Sequence, residues 1–162
     1  MAVTTEKSDQ ITNVEATPPV LEDTTSLHGR HRIAYFTQTQ VAIGDANSLV
    51  EVVKLPAGRV RVLLSESLIE HAWATALIDM SVGWDAYVDQ DGVAVVADPN
   101  GLDVAIDVDT AGVFVPGSAV AAGTAKTMLF ESQGGVTLTV QAIAAALAIG
   151  DTVNGYFTYV LD

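Results

Sequence analysis

Residues 75–88 read TALIDMSVGWDAYV, and this stretch decides the fold. Every second residue from Ala76 is apolar: Ala76, Ile78, Met80, Val82, Trp84, Ala86 and Val88. The interleaved set, Thr75, Leu77, Asp79, Ser81, Gly83, Asp85 and Tyr87, is mostly polar. A helix would spread the apolar set around its circumference, whereas a strand sends alternate side chains to opposite faces. The stretch therefore predicts one long strand with a buried face and a wetter face.

Its neighbours carry the same period. Ile33, Tyr35, Thr37, Thr39 and Val41 alternate with Arg32, Ala34, Gln38 and Gln40, while Phe36 breaks the pattern. That strand ends near the turn cluster Gly44-Asp45-Ala46-Asn47. Residues 49–55 (LVEVVKL) make a second strand, followed by a Pro56-Ala57-Gly58 turn. Beyond it, Val60, Val62 and Leu64 share one face and both arginines take the other. Residues 65–73 (SESLIEHAW) fit a short helical turn capped by Ser65 or Ser67, or a connection.

Downstream, Asp89-Gln90-Asp91-Gly92 and Asp98-Pro99-Asn100-Gly101 read as turns around a short apolar run at 93–97. Val104, Ile106 and Val108 alternate with Asp103, Asp107 and Asp109. Further strands are expected at 113–115, 126–131, 136–141 and 152–161, the last with Val153, Phe157, Tyr159 and Leu161 on one face. Residues 142–149 (AIAAALAI) favour helix by propensity, but a segment this short between strands is read as a loop or at most one helical turn. Eight or nine short strands punctuated by Gly, Pro, Asn and Asp predict an all-β chain: an antiparallel β-sandwich, jelly-roll-like.

Residues 1–29 differ. They are polar, hold Pro18-Pro19, and show neither period. Proline disfavours helix and favours extended backbone. The division expected is an extended N-terminal arm at 1–29 and a sandwich domain at 30–162. The arm's spaced apolar residues, Ile11, Val14, Val20 and Leu21, are too few for a core but suit a segment that orders on a partner.

Composition narrows function. The chain has 7 Lys and Arg against 20 Asp and Glu, a net charge of −13, which opposes binding to nucleic acid or to anionic membranes. Between Arg61 and Lys126 there is no lysine or arginine. No cysteine is present, so disulfides and thiolate metal sites are excluded. The opening residues lack the apolar core of a signal peptide.

Candidate chemistry is thin. His28 and His31 would point to opposite faces of a strand. Glu70 and His71 are adjacent, which seldom lets them face one another as a catalytic couple. Asp89, Asp91 and Asp98 around Gly92 echo a calcium loop, but Tyr87 stands where the first ligand belongs. Asp79, Asp85 and Tyr87 on the wetter face are further interface candidates. No nucleophile elbow, phosphate loop or dinucleotide fingerprint occurs. The residues predict no catalytic, metal or cofactor site.

Four segments together carry a family resemblance: MAVTTEKSDQITNVEATPPVLEDTT at 1–25, VVKLPAGRVRVLLSESL at 52–68, ALIDMSVGWDAYVDQDG at 76–92 and TVNGYFTYVLD at 152–162. The chain resembles small head structural proteins, of decoration or cement type, from tailed bacteriophages and prophages. The resemblance implies a non-enzymatic virion protein on the capsid exterior, assembled in the host cytoplasm. It implies the major capsid protein as partner, together with self-association, a homotrimer being the commonest form. It places partner binding on the arm, at 2–25, and hence on Ile11, Val14, Pro18, Pro19, Val20 and Leu21. Two other readings stay open. One is a tail or fibre module recognising glycan or a virion protein, with calcium at Asp89 and Asp91. The other is a hydrolase built on a carboxylate pair.

Overall fold

A computed structural model of the chain describes residues 17, 30–73, 75–120 and 126–161. Eleven strands and no helix occur among the described residues. One sheet contains β1 (His31–Thr39), β3 (Gly58–Ala72), β8 (Gly112–Phe114), β9 (Thr127–Ser132) and β11 (Thr152–Leu161). The other contains β2 (Leu49–Leu55), β4 (Asp79–Trp84), β7 (Asp98–Asp107) and β10 (Val136–Ile143). A small hairpin, β5 (Tyr87–Val88) and β6 (Ala94–Val95), stands apart.

The first sheet runs β1-β11-β3-β8, with β9 continuing the β8 edge along the other half of β3. The second runs β2-β10-β4-β7. All pairings are antiparallel, and they nest: β1 with β11, β2 with β10, β3 with β8 and β9, β4 with β7. This is a long hairpin rolled across two sheets, the jelly roll expected from the strand count.

Apolar side chains from both inner faces fill the space between the sheets. Val60, Val62, Leu64, Phe130 and Phe157 come from the first sheet, and Leu55, Met80, Val82, Leu138 and Val140 from the second; all are buried. Burying each such side chain is worth about 1.5–3 kcal/mol, and this supplies the main drive for closing the sandwich. Trp84 meets the Phe130 ring edge-on at 5.3 Å. Gly101 makes room for that indole, since a β-carbon there would lie 2.3 Å from its six-membered ring.

The 75–88 stretch is not one strand: β4 takes its middle and β5 its last two residues. Ile78, Met80, Val82 and Trp84 are buried as predicted, but Ala76, Ala86 and Val88 are exposed. The expected wetter face is also covered: Ser81 and Gly83 are buried. β7 breaks register twice against β4, between Met80 and Val82 and between Val82 and Trp84. These irregularities bring its backbone over the small residues. A β-carbon on Gly83 would lie 1.9 Å from the Asp98 carbonyl oxygen, and Ser81 Oγ accepts the Ala105 N–H at 3.2 Å.

Three other expectations change. Asp98-Pro99-Asn100-Gly101 is not a turn but opens β7, an edge strand where proline is tolerated. Residues 65–73 are neither helix nor connection up to Ala72, because β3 continues to that point. Leu64, Ser65, Glu66 and Ser67 stand opposite Phe157 alone, a bulge that flips the inward set from Val60, Val62 and Leu64 to Ser67, Ile69 and His71. Ser67 Oγ repairs the ladder, donating to Leu63 O at 2.8 Å and accepting the Thr158 N–H at 3.0 Å. In β1, Phe36 faces inward and packs on Phe157 with ring centroids 5.8 Å apart, while Ile33, Tyr35 and Thr37 lie outside. Of residues 142–149, expected to form a loop or one helical turn, Ala142 and Ile143 instead extend β10, and 144–149 form a loop.

Candidate functional site

The registers define two ends. His31, Val160, Val60, Leu55, Val136, Trp84 and Asp98 lie toward one end, from which the chain leads back to residue 30. This is termed the arm end. The opposite, far end gathers loops 40–48, 73–78, 108–111 and 144–151. The partner-binding residues expected in the arm, Ile11, Val14, Pro18, Pro19, Val20 and Leu21, lie outside the described residues, as does His28.

The acidic loops after β4 do architectural tasks. Asp89 Oδ1 accepts the N–H groups of Asp91 at 3.0 Å and Val93 at 2.8 Å, closing the β5–β6 hairpin. Asp98 Oδ1 accepts the Asn100 N–H at 3.3 Å. The calcium-like spacing thus converges on backbone amides, and among the described residues no three acidic or histidine side chains form a metal-binding group. Asp103 is buried and holds the chain after β8: Oδ2 accepts the Gly117 N–H at 2.9 Å, and Oδ1 accepts the Val104 N–H at 3.0 Å and the Ser118 hydroxyl. Lys126 Nζ locks the same segment, donating to Gly117 O at 2.6 Å and Val120 O at 3.0 Å.

The histidines divide similarly. His31 pairs with Glu66 at 3.1 Å on the surface. Glu70 is exposed while His71 is buried, as adjacent strand residues should be. His71 lies beside Phe114 with ring centroids 6.0 Å apart. Burial pushes its imidazole below the ordinary histidine range, and Asp107 pulls weakly the other way.

Of the wetter-face candidates, Asp85 is exposed and Asp79 is half-buried. Tyr87 packs edge-on to Phe130 at 6.1 Å. Burial raises the pKa of its phenol, with Asp89 and Glu131 adding to the effect. It borders an open cleft of about 410 Å³ with Lys54, Ala86, Gln133 and Thr137. That lining contains no carboxylate pair.

Two surfaces remain that suit macromolecular contact. The first is the β1 edge. Among the described residues β1 pairs only with β11, which makes it an edge strand of its sheet. On its outer face Tyr35 lies 5.7 Å from Tyr156, whose cross-strand neighbour is Leu68. The second is the far end, where Val41, Ile43, Leu77 and Ile149 are 85%, 73%, 80% and 65% exposed. Alternation placed Leu77 in the wetter set but ran the first strand on to Val41, which lies beyond the end of β1. The sequence signal for the surface as a whole is large apolar residues standing beside turn residues, beyond the strand ends.

No family model and no curated protein matches the sequence. Solved structures do. A chain in the capsid of Ralstonia phage GP4 matches with a TM-score of 0.62 and 21% identity, over 83% of this chain and 86% of that one. A chain of the cyanophage Pam1 capsid asymmetric unit matches with a TM-score of 0.53 and 16% identity, over 100% of both. At these identities the likeness establishes a shared fold.

Proposed function

We propose that this chain is a structural protein of a tailed-phage virion, a decoration or cement protein that stabilises the major capsid lattice from outside. The observation that carries the proposal is the two-way coverage: two chains of phage capsids have this jelly roll as most or all of their length. The side chains point the same way. Asp89, Asp103 and Ser67 are engaged in holding the chain's own backbone. Binding in this proposal rests on residues 1–29, with Ile11, Val14, Pro18, Pro19, Val20 and Leu21 laid on the capsid protein or a neighbouring copy. That segment runs into β1, an edge strand, so strand addition can extend from it. Many copies on one lattice multiply a weak single contact, and association into homotrimers would strengthen it further.

The test adds the full-length chain to capsids that lack it and measures co-sedimentation and resistance to heat. Binding is expected for the full chain and lost on removing residues 1–29, with circular dichroism checking that the sandwich persists. Equal binding by the shortened chain removes the role of the arm. Antibody labelling at the tail rather than the head overturns the decoration proposal in favour of a tail or fibre module.

A further inference from the structure

We infer that the far end is a second interaction surface, shaped for a different protein that presents an apolar depression rimmed by lysine or arginine. Its centre comes from loops that the fold brings together. The 40–48 and 144–151 loops zip through Gly44 N–H to Leu147 O at 3.1 Å, Leu147 N–H to Gly44 O at 2.9 Å and Gly150 N–H to Gln40 O at 2.9 Å. This places Val41, Ile43 and Ile149 on one paired unit. Leu77 stands at the same end, two residues before Asp79, which pairs with Ile143 just ahead of the 144–151 loop. The rim is acidic: Asp45, Glu70, Asp79, Asp107 and Asp109. None of the chain's lysines or arginines falls in these loops.

Three features of this end work against the isolated fold. Large apolar side chains face water. Asn47, Leu77 and Ala144 hold left-handed backbone, with φ of 72°, 62° and 67°. Asp79 and Asp107 are direct cross-strand partners, like charge beside like charge. A cationic partner with an apolar seat relieves the first and third together.

Charge also selects among occupants. Two copies meeting far end to far end would oppose their acidic rims. The arm end of a second copy fits poorly, because its basic residues Arg30, Arg32, Lys54, Arg59 and Arg61 are offset there by Asp85, Asp89, Asp91, Asp98 and Glu131, with Arg59 paired to Glu131 at 3.0 Å. The chain's own residues 1–29 carry five carboxylates and one lysine, again the wrong sign. A heterologous basic-rimmed protein is what remains. This inference does not depend on the decoration role, since the far end lies opposite the end that joins the arm.

The test places the photo-crosslinker benzoylphenylalanine at position 77 or 149 of the full chain, and at Val93 at the arm end as a control. The cells that naturally produce the chain are irradiated, and adducts are mapped to single residues. Adducts from 77 and 149, not from 93, are expected on one other protein, beside at least two lysines or arginines. The triple change Asp79→Lys, Asp107→Lys, Asp109→Lys is expected to cut adduct yield by at least about threefold, with melting curves confirming the fold. Adducts on this chain itself, on an acidic surface, or in yields indifferent to the charge reversal overturn the inference. So does the absence of adducts from both positions.

Discussion

The connection after β8 and the loop at Leu77 make an instructive pair. Both leave the first sheet, and both contain backbone that needs support. After β8 the chain is held by side chains: Asp103 takes two backbone N–H groups and a hydroxyl, and Lys126 takes two carbonyls. At Leu77 no such clamp occurs among the described residues; the backbone is left-handed and a leucine is offered to water. Groups that bind their own backbone mark where stability was selected. Groups such as Leu77, strained and exposed, contribute nothing comparable to the fold itself.

That contrast is sharpest for Asp103. Asp103→Ala leaves buried donors without an acceptor and should cost about 3 kcal/mol, lowering Tm by roughly 6–12 °C for a chain of this size. Asp103→Asn keeps an acceptor and should recover part of the loss. A thermal melt within about 1 °C of the parent would dissolve the distinction between the two loops. Ser67→Ala acts at the β3 bulge and should cost about 2 kcal/mol, because the buried Thr158 N–H loses its partner; urea titration measures it.

The opposite sign is expected at the far end. Leu77→Gly relieves the left-handed backbone, and its stability should fall between unchanged and about 1 kcal/mol higher, although a large apolar side chain has been removed. A clear loss of stability would show Leu77 to be part of the fold after all. The smallest effect is at His71, which is buried and favoured neutral. A histidine whose folded pKa is lowered stabilises the protein above its unfolded pKa of about 6.5, and that contribution disappears as pH falls. Tm should therefore decline from neutral pH toward acid, less steeply in His71→Phe; parallel pH profiles of the two proteins would remove His71 from the account.

Much of the sandwich was legible because burial on one face imposes a period of two. The limits of Leu49–Leu55 and Thr152–Leu161 follow from it directly. So does the buried series Ile78, Met80, Val82 and Trp84. The period misleads where the backbone departs from simple pairing. The bulge in β3 changes which residues face inward, so Ser65 to Trp73 looked like a helical turn. The register breaks in β7 bury Ser81 and Gly83, which pattern alone assigns to water. Sites were less legible still. Asp103 grips the backbone of Gly117, and an amide carries no signature in the sequence. The far end gathers Val41, Leu77 and Ile149 from three separate loops, and only the folded topology shows that they share an end.

The rolled hairpin also sets an order of events. β1 is paired with β11, a strand separated from it by most of the chain. Contacts so distant in sequence form late, because a long loop must close before they are gained. The segment preceding β1 is thus attached to the part of the roll completed last. A chain that has not yet closed offers that segment no ordered base, so the binding proposed for it would wait on completion of the fold.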